Sequence, residues 1–189
     1  FQEKVAGANV LREDGVAITE GFRDVMGDVT AITGEEIEHA DKLAFTLGLS
    51  ANEAGKLVGQ AHLTGKSLGE FTKQLGQGTA EMNRPGGAAI DLKQVIGVIN
   101  NASEDTLALF GSNTKEMAKT AVQSKMLGIS MDKMASISDG LLDIESSIGN
   151  QMEANVLTGA NMNFDRARTL ALEGKIGDAA EENLKQIEK

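Results

Sequence analysis

The side chains of this chain that could do acid–base or metal chemistry are few and scattered. There are two histidines and no cysteine. His39 lies in Glu35-Glu36-Ile37-Glu38-His39, so Glu36 and His39 stand three apart on one helix face. Di-metal carboxylate bundles use this Glu-x-x-His spacing, but twice, with further carboxylates on facing helices. The sequence has no second copy, and a solvated acidic helix start is the simpler reading. His62 precedes Leu63-Thr64-Gly65 near an expected helix end, where a cation suits the helix dipole. It reads as structural.

The remaining candidates reduce in the same way. Arg84-Pro85-Gly86-Gly87 lacks the Gly-x-x-x-x-Gly-Lys-Ser/Thr pattern and a preceding strand, so it reads as a turn and not a phosphate loop. Ser103 and Asp105 have no histidine in a triad layout. Asp139, Asp143 and Glu145 fall on a helix, without the loop that calcium coordination needs. Eight methionines invite a promiscuous-groove reading, but filling an aromatic-poor core explains them more simply. No catalytic, cofactor-binding or metal-binding residue is assigned, and the chain reads as non-enzymatic.

The elements that would carry these side chains are helices joined by tight turns. Leu47-Gly48-Leu49-Ser50 and Leu127-Gly128-Ile129-Ser130 share the form apolar-Gly-apolar-Ser. Glycine just past a helix end enters the left-handed conformation without a Cβ penalty. Serine then caps the next helix through its hydroxyl oxygen. Ser50-Ala51-Asn52-Glu53 and Ser67-Leu68-Gly69-Glu70 both match the capping box. Leu63-Thr64-Gly65 and Leu157-Thr158-Gly159 end helices in matching fashion. Between glycines the first interval is 17 residues (48 to 65) and the second 31 (128 to 159). The difference of 14 is two heptads, an insertion that keeps a buried face in register. Either a duplication or simple recurrence of a good joint accounts for the likeness.

The apolar spacing is helical throughout. Leu11, Ile18, Phe22, Val25, Val29 and Ile32 form a heptad stripe. Five glycines between Gly7 and Gly34 weaken that segment, at about 1 kcal/mol each relative to alanine in a helix interior. The stripe therefore calls for a partner helix, from another subunit or from the rest of the chain. Met134, Ile137, Leu141, Ile144, Ile148, Met152 and Val156 predict one long helix over about 131–157. Asn163 or Asn161 should cap a helix through Leu172, and Gly174 to Gly177 turns it into a C-terminal hairpin. The single proline, Pro85, marks the one internal boundary, and the polar approach from Gln74 to Asn83 reads as mobile. The expected organisation is a heptad-patterned segment 1–34, helical hairpins over 35–84, and a helical lobe over 88–189. The fold class is all-α, a multi-helix bundle or an array of joined helical hairpins.

Composition narrows the function classes. The formal net charge is −10. This disfavours nucleic-acid binding, which needs a basic face to displace counterions. It also disfavours adsorption to anionic membranes. Tryptophan and tyrosine are absent, and Gly contributes 22 residues. Such a core packs helices closely but builds few deep aromatic-lined pockets. No apolar run nears the roughly 20 residues needed to span a bilayer. The chain starts at Phe1, as an excised piece of a longer protein or a tag-cleavage product would.

The second half resembles a known family. Its phrases are Ala121-Val122-Gln123-Ser124-Lys125-Met126-Leu127-Gly128-Ile129-Ser130, Leu141-Leu142-Asp143-Ile144-Glu145-Ser146-Ser147-Ile148, Glu153-Ala154-Asn155-Val156-Leu157-Thr158-Gly159, and Ala167 to Gly174 with Asp178-Ala179-Ala180. This run is similar to a region of tail tape measure proteins of large tailed bacteriophages. Leu47 to Ala54 and Leu63 to Leu68 resemble the region just upstream, so the likeness spans roughly residues 43–182. The resemblance implies a mainly helical virion structural protein that sets tail length, aids assembly and leaves at genome ejection. It implies a homo-oligomer in the tail lumen or at the baseplate end. Implied partners are other copies, tube or baseplate-hub proteins, and the host envelope at ejection. No specific nucleic acid and no cofactor is implied. The alternative from the residues themselves is a helical adaptor or scaffold, assembling through the stripe from Leu11 to Ile32. A cell-wall hydrolase is a third class, since some tape measure proteins carry one.

Overall fold

The computed structural model describes residues 2–83 and 89–188, with side chains from residue 13 onward. Eleven α-helices and no strand occur among the described residues. They are α1 (Gln2–Met26), α2 (Gly34–Leu47), α3 (Ala51–Leu63), α4 (Leu68–Met82), α5 (Leu92–Asn100), α6 (Glu104–Ala108), α7 (Thr114–Leu127), α8 (Met131–Leu142), α9 (Ile144–Thr158), α10 (Asp165–Leu172) and α11 (Ile176–Ile187). The fold is all-α.

Both Gly-centred joints have the geometry their residues require. Gly48 and Gly128 sit at φ +67° and +69°, in the left-handed region. The next N–H turns back onto the ending helix, Leu49 to the Ala44 carbonyl at 2.9 Å and Ile129 to the Ser124 carbonyl at 3.2 Å. Ser50 accepts from the Glu53 N–H and Ser130 from the Lys133 N–H. At the first joint Glu53 also accepts from the Ser50 N–H, closing the capping box. Ser67 caps α4, but Glu70 accepts from Gln74 instead of reaching back, so only half of that expected box forms.

Helices meet where glycine removes the side chain between them. A Cβ on Gly21 would lie 2.1 Å from the Asn52 carbonyl oxygen, and one on Gly55 would lie 2.0 Å from that of Ile18. The backbones of α1 and α3 therefore touch. Gly78 brings α4 onto α7 at Lys115 and Ala118, and Gly177 brings α11 onto α7 at Thr120 and Gln123. A glycine inside a helix carries a local cost, and Gly21 is expected to weaken its segment on that ground. In the fold, several such glycines are contact points whose local cost is offset by close approach. The same contact corrects the expectation for 74–83, since α4 is helical to Met82 and pinned to α7 through Gly78.

The principal core runs from Ile18 to Ala180 and draws on all three expected segments. A smaller cluster of Leu141, Ala167, Ala171 and Ala179 lies beneath α10 and α11. The boundary at Arg84 to Ala88 falls outside the described residues, and the packing of α4 on α7 joins the chain across it.

The long helix expected over 131–157 is two helices. Asp143 interrupts it with ψ 81°, and its carboxylate caps α9 by accepting from the Ser146 N–H. An aspartate offers the backbone this alternative, and apolar spacing does not register it. The interval from Gly128 to Gly159 thus holds a whole additional helix and not extra turns of one rod. The C-terminal hairpin forms as α10 and α11, but Phe164 occupies the cap position of α10. Asn163 accepts from the Asp165 N–H just beside it.

Candidate interaction surface

Several of the residues that looked chemical, Glu36, His62, Ser103 and Asp143, are used in joining or capping helices. Glu36 bonds not to its helix neighbour His39 but to His62, at 2.6 Å, tying the start of α2 to the end of α3. The His62 ring also meets Phe22 edge-on at 5.2 Å. Partial burial works to raise the Glu36 carboxyl. The Thr33 N–H and His62 outweigh it and hold the group below the usual carboxylate range. Ser103 caps α6 while Asp132 accepts from its N–H and hydroxyl across the fold. The Thr106 hydroxyl and the Ser103 N–H hold Asp132 low in turn. Lys66 reaches the Ser112 carbonyl and the Thr114 hydroxyl, and Lys93 reaches the Gly48 carbonyl at the first joint. Arg84 to Gly87 lie outside the described residues. Among the described residues no group of three His, Asp or Glu side chains is placed to hold a metal ion.

The middle of the α1 stripe, Ile18, Phe22 and Val25, packs inside the chain. Ile18 and Phe22 are fully buried, and Val25 packs against Gly59 of α3. The α1 helix ends at Met26 and Gly27 turns at φ +78°, so Val29 and Ile32 lie beyond it, Val29 exposed and Ile32 half-buried. The side chain of Leu11 lies outside the described residues. The helix that meets Ile18, Phe22 and Val25 is α3 of the same chain.

The apolar stripe left uncovered belongs to α9. Ser147 is the helix's sole buried residue. Ile144 and Ile148 are more than two-fifths exposed, Met152 is 65 %, Val156 83 % and Leu157 76 % exposed. Polar ties run along its flank, since Ser147, Gln151 and Asn155 lie about 100° round the helix from the stripe. Arg168 donates to the Ser147 hydroxyl at 2.9 Å and to the Gln151 side-chain oxygen at 2.8 Å. Gln151 and Asn155 donate to the Met162 carbonyl, and Asn155 accepts from the Met162 N–H. A groove of about 430 Å³ separates α9 from α8 and the end of α11, with Ile137, Leu141, Phe164 and Ile187 in its wall. An amphipathic helix of a globular protein ordinarily buries its apolar stripe. Here hydrogen bonds hold one flank of the helix and the stripe faces solvent.

Two further concavities lie away from α9. A cleft of about 260 Å³ between α3 and α6 is lined by Leu63, Leu107, Ala108 and Met117, with Gln60 at its wall. A shallow basin at the second joint carries Glu53, Lys93, Lys125 and Asp132. Glu53, Lys93 and Asp132 there already hold helix ends.

Sequence periodicity found the α9 stripe but assigned it to a buried face. The missed signals were Asp143, which frees α9 from the direction of α8, and Gln151 and Asn155, which tie its flank to Met162. No family model, no curated protein and no solved structure matches this chain.

Proposed function

We propose that this chain is a non-enzymatic structural region of a tail tape measure protein of a large tailed phage, acting in tail length determination, assembly and genome ejection. The observation that carries the reading is the run of phrases around the two Gly-centred joints, over roughly residues 43–182. Its setting is the virion tail, as a homo-oligomer in contact with tube or baseplate-hub proteins. An all-α fold whose polar side chains serve helix ends supports a structural role. The short, jointed helices suit a folded lobe at the baseplate end better than an uninterrupted rod.

Tail length tests this. An in-frame deletion of the region from a phage that carries it removes 189 residues, or about 280 Å if they form extended helix at 1.5 Å per residue. Tails of normal length with defective ejection are the expected result for a lobe, and tails shortened by that length for a rod. Normal tails with normal infectivity would overturn the proposal. One observation favours a second reading, a helical adaptor: the exposed stripe on α9. A peptidoglycan-hydrolysis assay is expected to show no activity.

A further inference from the structure

We propose that the exposed face of α9 docks an amphipathic helix whose apolar stripe is bordered by lysine or arginine. The inference names a partner for the assembly role above and rests on that role, though not on a phage tail as its setting.

Three observations carry it. The first is the exposed stripe of Ile144, Ile148, Met152 and Val156 on a helix whose hydrogen bonds to the rest of the chain run along one flank, through Ser147, Gln151 and Asn155. At 15 residues α9 extends about 22 Å, the span of an ordinary helix–helix contact. The second is Gly149, which follows Ile148 on the exposed side. A Cβ there would meet nothing within 4 Å. This chain makes its internal crossings at Gly21, Gly55, Gly78 and Gly177; Gly149 is open, like Gly97 and Gly140, and is the one of these three on α9. Alone it would be a helix defect, and beside an apolar stripe it lets a second backbone approach.

The third observation is charge. From Met134 to Phe164 there is no Lys, Arg or His, while Asp139, Asp143, Glu145 and Glu153 all lie within the stretch. Among the described residues the one cation bonded to α9, Arg168, is buried and engaged with Ser147, Gln151 and Asp165. Glu145 and Glu153 are exposed on α9 itself. Two copies pairing through α9 would gather four of these carboxylates with no cation between them. Like charges brought together across an interface suppress that pairing, and opposite charges steer and select a partner. A helix with cationic borders therefore fits, and a second copy does not.

The test uses the full chain and two synthetic 18-residue amphipathic helices with one apolar pattern, one of Leu and Lys and one of Leu and Glu. Fluorescence anisotropy at physiological salt gives affinity, and amide NMR shifts locate the contact. The Leu/Lys helix should bind with shifts concentrated on residues 144–157, at least tenfold more tightly than the Leu/Glu helix. Met152→Asp with Val156→Asp, both at mostly exposed positions, should weaken it at least tenfold while the melting temperature shifts little. The added carboxylates would strengthen a purely electrostatic attraction, so weakening isolates the apolar stripe. Equal binding of both peptides, shifts elsewhere, or undiminished binding to the double variant would overturn the inference. So would a dimer in light scattering that Met152→Asp dissolves, because the occupant would then be a second copy. Peptide binding and tail length can fail independently, which separates this inference from the phage reading.

Discussion

The stripes on α1 and α9 look alike in sequence and meet opposite fates. Both are aliphatic residues at helical spacing with a glycine among them, Gly21 on one and Gly149 on the other. On α1 the stripe closes onto α3, with Gly21 and Gly55 bringing backbone against backbone. On α9 the stripe faces water and Gly149 touches nothing. Periodicity reports that a helix has an apolar side. It does not report what covers that side, because the covering surface comes from residues distant in the chain.

Mutations should separate the two stripes sharply. Phe22 is fully buried, so Phe22→Ala should lower unfolding free energy by about 3–5 kcal/mol in urea titration. Met152→Ala removes a mostly exposed side chain and should change it by less than about 0.5 kcal/mol. A large loss at Met152 would mean that α9 is already covered. The glycines give a contrast of sign. Gly55→Ala drives a methyl into the Ile18 carbonyl and should cost about 1–3 kcal/mol, as overpacking does. Gly149→Ala has open space and should stabilise by about 1 kcal/mol, the difference in helix propensity.

The smallest effect concerns pH. Partial burial first, and the charge of Asp178 second, hold the Glu116 carboxyl above its ordinary value of 4.5. A carboxyl raised in the folded state penalises folding wherever it is ionised. That penalty is full at neutral pH and fades as pH falls through the raised value toward 4.5. Glu116→Gln should therefore raise the melting temperature slightly at pH 7 and leave it unchanged at pH 4. Glu53 has the opposite sign. The Ser50 N–H holds its carboxyl low, so its contribution is present above the ordinary carboxylate range and is lost as pH falls below it.

Much of the fold could be read before any coordinates. The joints at Gly48 and Gly128, the ends at Gly65 and Gly159, and the Ser50–Glu53 box depend on neighbouring residues alone. The turn at Gly174 belongs to the same class. The break at Asp143 was local too, but an apolar stripe running through it concealed it. The partner of Glu36 was not local: His39 is three residues away and His62 is 26, and only the packing of α2 on α3 chooses between them. The candidate surface was half legible. Its residues stood out as a stripe, and their exposure did not.

The sequence by itself determined where helices begin and end, because capping, left-handed glycine and apolar spacing act within a few residues. It also determined the acidic balance and the absence of any Lys, Arg or His within α9 itself. Only the tertiary structure decided which stripe is buried, which glycines are crossings, and which histidine completes the Glu36 pair. Those outcomes depend on the facing surface, and the facing surface exists only once distant helices have packed.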